Sequence, residues 1–263
     1  MLVWVIIIPV LLFVLSLGAA YLFQEKLIFV PEKISHDLKY EFGGNWTERN
    51  FEVDGAILNA VHFKVDNPEG VVIYYHGNAG SLESWGYVGL DFTRLNQDVI
   101  VVDYRGYGKS SGRISSEKQL LKDAQYVYDK TVEEYGEGKI RVYGRSLGSG
   151  IAAYMAKENN PIALVLETPY TSLNRLGGEI YPKLITKLMK YKLATFKIVN
   201  DIDCPIYIFH GTDDQLIGYH HAQELIEKKP SIKLYTIEAG MHNNLPEFPE
   251  YHIALAEIFS KDQ

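Results

Sequence analysis

A doubly wound, mostly parallel α/β sheet is the fold class that the sequence predicts, and three observations predict it. Five short runs, 71–75, 99–102, 140–143, 163–166 and 206–209, are almost wholly apolar. Strands covered by helices on both faces have this composition. Helix-length segments separate the runs. The clearest is 116–135, where Leu120, Leu121, Ala124, Val127, Tyr128 and Val132 recur at helical spacing and Ser116 with Gln119 forms a capping-box pattern. Strand and helix in alternation imply right-handed crossovers between parallel strands. Ahead of them, 48–53 and 57–65 alternate apolar and polar residues around Asp54-Gly55, the pattern of an antiparallel hairpin.

The 263 residues suffice for one such domain, 46–263, and an appendage. Hydrophobic residues make up 47%, enough for a sizeable core. A formal charge of −7 without any Lys/Arg block excludes nucleic acid as a partner, since phosphate binding needs a clustered positive face. The lone cysteine, Cys204, can form no internal disulfide and no metal site, and its place ahead of an apolar run predicts a buried structural thiol. No G-x-G-x-x-G opens a βαβ unit and the glycine-rich Asp103–Gly108 stretch lacks phosphate-loop spacing, so no cofactor is expected.

The appendage is the first 23 residues, of which 2–23 carry no charge. As a helix they would be roughly 33 Å long, enough to cross a hydrocarbon core. Trp4 and Tyr21 stand near the two ends, where aromatic rings favour the interface. A cleaved signal is disfavoured because no Lys or Arg precedes the apolar stretch. The segment is therefore expected to be a single-pass anchor, with 24–45 as a connector to the domain. Lys26 and Lys33 adjoin Glu25 and Glu32, so the bias that sets orientation is small and leans towards a cytoplasmic domain.

Gly144-Arg145-Ser146-Leu147-Gly148 follows the run 140–143 and opens a helical stretch. This is G-x-S-x-G in a strand–turn–helix context, which puts a serine hydroxyl on a tight turn and aims a helix N-terminus at the reacting carbonyl. Ser146 is the expected nucleophile. The base is expected on a loop past the last strand, 232–237, and His242 lies there. The acid is expected after the preceding strand, where His210-Gly211-Thr212-Asp213-Asp214 offers two carboxylates. Asp214 has the expected spacing, with Asp213 turned to the loop or solvent and Glu167 as a substitute. The order Ser, Asp, His is that of the α/β-hydrolase fold. Two backbone N–H groups are needed for an oxyanion hole: that of Leu147, directly after the nucleophile, and that of Asn78, in His76-Gly77-Asn78-Ala79-Gly80 after the first buried strand. A short lid of about 174–203 would leave the site open to large or lipid substrates.

Together H-G-N-A-G, D-Y-R-G-Y-G-K-S-S-G, Y-G-R-S-L-G-S-G, E-T-P-Y-T-S, C-P-I-Y-I-F-H-G-T-D-D and G-M-H-N-N-L resemble the membrane-anchored α/β-hydrolase-domain serine hydrolases, whose eukaryotic relatives include protein depalmitoylases. Y-L-F-Q-E-K-L-I-F-V-P and M-K-Y-K-L extend the resemblance over nearly the whole chain. It implies the same nucleophile, acid, base and oxyanion N–H groups: Ser146, Asp214, His242, Asn78 and Leu147. The depalmitoylases attach through an N-terminal cysteine cluster that this chain lacks, so depalmitoylation is not implied. The expected activity is hydrolysis of a carboxylic ester or thioester on an acyl-bearing substrate, a lipid or lipidated molecule among them. A peptidase or amidase on the same triad and a non-catalytic membrane scaffold are the alternatives.

Overall fold

The chain, described over residues 2–260 in a computed structural model, is built on one eight-stranded sheet. Its strands are β1 (Trp46–Val53), β2 (Ala56–Phe63), β3 (Gly70–Tyr75), β4 (Gln97–Val102), β5 (Ile140–Arg145), β6 (Ala163–Glu167), β7 (Ile206–Gly211) and β8 (Lys233–Ile237). They lie in the order β8-β7-β6-β5-β3-β4-β2-β1. The β1–β2 and β2–β4 pairs are antiparallel and the others parallel. The hairpin turns at Asp54-Gly55, where Val53 faces Ala56 and Gly55 has φ 72°. The mostly parallel sheet expected from the apolar runs is therefore present.

The composition of the central strands follows from burial on both faces. Val71, Ile73 and Tyr75 of β3 enter one core cluster, while Val72 and Tyr74 enter the opposite one. Side chains alternate across a strand, so a strand sandwiched between two cores has no solvent face to carry polar residues. Helices α2 (Glu117–Tyr135) and α3 (Leu147–Glu158) cover the first face through Val127, Tyr128 and Ile151. The C-terminal helix Pro249–Phe259 covers the second through Leu255 and Ile258. Ser116 caps α2 by accepting from the Gln119 N–H at 3.1 Å, but Gln119 Oε1 takes the N–H of Ser115, not that of Ser116. The capping box is thus half formed, displaced by one residue.

The chain passes outward from β3 to β4 and then returns across β3 to β5. At such a reversal the loops leaving the carboxyl ends of β3 and β5 diverge and open a crevice. Ser146 follows β5 and Asn78 follows β3.

Residues 24–45 are more than a connector. Val30–Pro31 pairs in parallel with Ala79–Gly80, beside the loop that follows β3. Glu32 donates to Gly80 and accepts from Gly108, and Ile34 donates to Gly108. Alternation and apolar periodicity cannot reveal a two-residue pairing, because both signals need a longer run. Ahead of this segment, α1 (Leu2–Leu22) is a helix without a charged residue. The side chains at 2–6, 10, 14 and 20 lie outside the described residues, as do residues 1 and 261–263, so part of the expected anchor does too. Among the described residues no helix is long and apolar enough to cross a membrane. The segment expected to form a lid contains helices Leu173–Ile180, Lys183–Lys187 and Thr195–Ile198.

The turn from β5 into α3 leaves no room for side chains at its glycines. A Cβ on Gly148 would overlap the backbone carbonyl of Tyr75, and one on Gly144 would meet the carbonyl of Gly148. Neither obstacle is a flexible side chain. Gly148→Ala should therefore cost at least about 1–3 kcal/mol, the usual penalty of overpacking, read as a lower denaturant midpoint. A wild-type midpoint would contradict this packing.

Candidate active site

Ser146 sits between β5 and α3 with φ 51° and ψ −116°, a left-handed backbone that a residue with a Cβ seldom adopts. Its own backbone is bonded on both sides: the N–H to Glu167 O at 2.9 Å and the carbonyl to Ser149 Oγ at 2.6 Å. Tyr170 OH donates to Leu147 O at 3.0 Å, fixing the first turn of α3. These bonds hold the strained turn in place.

His242 lies on the loop past β8, and its Nε2 stands 3.1 Å from Ser146 Oγ. Its Nδ1 stands 2.8 Å from Asp214 Oδ2. The other carboxylate oxygen, Oδ1, accepts from the N–H groups of Leu216 (2.9 Å) and Ile217 (2.8 Å). Burial pushes the Asp214 carboxyl up, but hydrogen bonds from His210 and His242 outweigh it and hold the group well below the usual carboxylate range. An ionised carboxylate only accepts, so the proton on His242 resides on Nδ1. That leaves the Nε2 lone pair for the Ser146 hydroxyl. Asp213 is exposed and bonded weakly to Thr212 Oγ1, away from the imidazole.

Glu167, the substitute acid, has a different task. It is buried, accepts from Tyr143 OH at 2.6 Å and pairs with Arg145 Nε at 3.1 Å. Arg145 in turn donates to the carbonyl of His242 and to Asn243 Oδ1, each at 3.1 Å, and its guanidinium covers the Trp85 ring. Glu167 and Arg145 therefore bolt the histidine loop to the sheet. The G-x-S-x-G pattern leaves the residue at 145 unspecified, so it does not reveal this role of Arg145. The available signal was two opposite charges ending adjacent apolar strands, since Arg145 and Glu167 are register partners.

The loop after β3 lies across Ser146: a Cβ on Gly77 would be 3.7 Å from that of Ser146. The Asn78 side chain is fully engaged. It donates to Ile28 O (2.6 Å) and accepts from Val30 N (3.2 Å) and Tyr107 OH (2.9 Å). Among the described residues the backbone N–H groups of Asn78 and Leu147 have no acceptor. His76 is buried beside Asp103 and beneath Tyr104, a bracing position. Burial raises the Cys204 thiol to about 11, so it carries no thiolate near neutrality.

A second polar group, Glu179, His220 and His221, places possible metal-ligand atoms within 4.8 Å of one another. The Thr171 N–H donates to His221 Nδ1, so the remaining proton sits on Nε2, the atom facing Glu179. A protonated nitrogen cannot ligate, and the group is better described as a hydrogen-bonded tie between two helices.

Asp214 gives a stability prediction. Its pKa in the fold is below the unfolded value of about 3.9, so its contribution is complete above that value and is lost as pH falls through the folded pKa. The gap in unfolding free energy between wild type and Asp214→Asn should therefore narrow from pH 6 to pH 3. A constant gap across denaturant melts at the two pH values would contradict it.

Residues 66–198 match a family model described as serine aminopeptidase, S33. Alpha/beta hydrolase domain-containing protein aho-3 of Caenorhabditis elegans is 32% identical over 197 residues, covering 73% of this chain and 56% of that protein, so the match spans little more than half of the relative. A Mycobacterium tuberculosis protein is 28% identical over 71% of this chain and 67% of its own. Among solved structures, the Pyrococcus furiosus esterase Pf2001 superposes with a TM-score of 0.69 at 20% identity, covering 87% of this chain and 97% of that one. The thioesterase domain from the curacin biosynthetic pathway gives 0.61 at 15% identity, over 82% and 99%. Both likenesses are of fold. With the family model covering more than half of the chain, this protein belongs to the S33 serine aminopeptidase family of α/β hydrolases and is an enzyme of the serine-hydrolase type acting on acyl bonds.

Proposed function

We propose that Ser146, His242 and Asp214 are a catalytic triad that hydrolyses a carboxylic ester or thioester through an acyl-enzyme. The hydrogen-bonded line from Asp214 through His242 to Ser146 carries this reading. His242 Nε2 takes the hydroxyl proton as Ser146 Oγ attacks the carbonyl carbon. The oxyanion is held by the N–H groups of Asn78 and Leu147. The imidazolium returns the proton to the leaving alcohol or thiol, and a water activated the same way releases the acid. Asp214 stabilises the imidazolium and fixes its tautomer. Arg145 positions the base without touching substrate.

The esterase and thioesterase likenesses, with a site at a loop crevice, favour acyl chains as substrates. The family description favours a second reading, an aminopeptidase. Such an enzyme must hold the substrate ammonium with a spare carboxylate. Glu167 is already paired with Arg145 and Asp214 with His242, which weighs against it. The 174–203 segment would act as a short lid.

In this reading 1–23 anchor the domain, 46–263, in a membrane. On α1, Leu11, Leu12, Phe13 and Leu15 are each more than half exposed. Covering the exposed half of such side chains with hydrocarbon returns about 1–2 kcal/mol each, which favours a bilayer over water.

Three measurements test the chemistry. Asp214→Asn should lower kcat on a p-nitrophenyl ester about ten-thousandfold, while Asp213→Asn leaves it within about twofold; the reverse would reassign the acid. A leucine p-nitroanilide should show a lower kcat/KM than p-nitrophenyl butyrate. The opposite order would favour the aminopeptidase. Arg145→Ala should lower kcat by roughly 10–100-fold at unchanged KM, because a misplaced base weakens the transition state and spares ground-state binding. An unchanged kcat would leave Arg145 a purely structural residue.

A further inference from the structure

A cavity of about 560 Å³ opens at the foot of α1, well outside the constellation around Ser146 in its lining residues. Five cations and one carboxylate line it. Arg105 is matched by Asp123, and Lys190 by Glu25. Lys26, Lys33 and Arg113 remain, all exposed, and among the described residues none has a carboxylate partner. Three unmatched positive charges on one cavity are notable in a chain of net charge −7. The rest of the wall is apolar, including Leu22, Phe23, Phe29 and Ile114.

We propose that this cavity holds the headgroup of an anionic phospholipid, with the cations on its phosphate and the apolar wall along the start of its acyl chains. The proposal rests on the reading of α1 as a membrane anchor. Leu22 and Phe23 lie at the end of α1, so a cavity they line sits at headgroup depth when the helix spans a bilayer. The site is built rather than loose. Lys33 is held by a β-bridge to Gly108, and Glu25 accepts from Lys190 Nζ and Tyr191 OH, both at 3.2 Å. An orientation signal needs only Lys26 and Lys33 near the helix. It does not need Arg113, which is distant in sequence and converges on the same cavity. A net-negative domain also requires local cations to approach an anionic surface at all.

The occupant would touch the oxyanion loop indirectly. Tyr107 lines the cavity and donates to Asn78 Oδ1 at 2.9 Å, and Val30, next to Phe29, donates to the same oxygen.

The full chain in neutral detergent micelles should be titrated with short-chain phosphatidylglycerol, short-chain phosphatidylcholine and inorganic phosphate, following Tm. Phosphatidylglycerol should raise Tm saturably, and the other two should not at equal concentration. A surface cation contributes about fivefold to anionic-lipid affinity, so Lys26→Gln/Lys33→Gln/Arg113→Gln should weaken the midpoint at least about tenfold after screening. Lys130→Gln/Lys157→Gln/Lys233→Gln, the same charge change elsewhere, should not. If the first triple variant does not fold, Arg113→Gln alone should weaken it about threefold or more. An equal response to inorganic phosphate, no response to phosphatidylglycerol, or equal losses in the two triple variants would overturn the proposal. Flotation with phosphatidylcholine vesicles separates the two readings. A chain that floats but lacks the phosphatidylglycerol response loses only the headgroup site. A chain that does not float loses the anchor, and with it the bilayer as the source.

Discussion

The left-handed backbone of Ser146 is the constraint on which the rest of the site depends. A residue with a Cβ at φ 51° costs of order 1–3 kcal/mol and persists only where its surroundings leave no alternative. Here the surroundings are specific. Glycines at 144 and 148 let strand and helix approach, Glu167 O and Ser149 Oγ bind the Ser146 backbone, and Tyr170 ties down the next carbonyl. All but Tyr170, which is buried in the loop after β6, come from a strand end or a helix turn already fixed by the buried sheet. The sheet core and the half-buried hydroxyl are therefore one construction: packing on both faces of β5 supplies the rigidity that the turn needs.

The same logic extends to the histidine. A loop alone would hold an imidazole poorly, since loops are the mobile parts of a fold. The Glu167–Arg145 pair passes the rigidity of β5 and β6 to the carbonyl of His242, and the Asp214 carboxylate fixes the ring from the other side. One buried ion pair and one hydrogen-bonded carboxylate thus meet at one loop. Both carboxylates have partners, Glu167 in Arg145 and Tyr143 and Asp214 in His242 and two backbone N–H groups, the condition under which buried charges are tolerated.

Much of this was legible in the sequence, for a definite reason. Strands such as 71–75 reveal themselves because two cores cover them, and Gly144 and Gly148 because the turn admits nothing larger. The placement of Ser146, Asp214 and His242 just past the carboxyl ends of β5, β7 and β8 is a consequence of topology, so chain order was enough to bring them to one sheet edge. The roles of Arg145 and Glu167 were not legible, because a charge at the end of an apolar strand ordinarily reads as its polar boundary. The docking of Ile28 and Val30 on Asn78 was hidden for another reason: it is made by two backbone groups and one amide side chain, and leaves no periodic trace. The segment that looked like a connector proves to brace the loop carrying the oxyanion candidate, which joins the base of α1 to the site through a few hydrogen bonds.

In the proposed triad one histidine activates one serine. Labelling with a fluorophosphonate probe tests it most directly, because the probe reports the nucleophile without requiring the substrate. Rapid labelling is expected of the wild-type chain, none of Ser146→Ala and little of His242→Ala, with all three proteins folded. Equal labelling of Ser146→Ala, or none of a folded wild type, would contradict it.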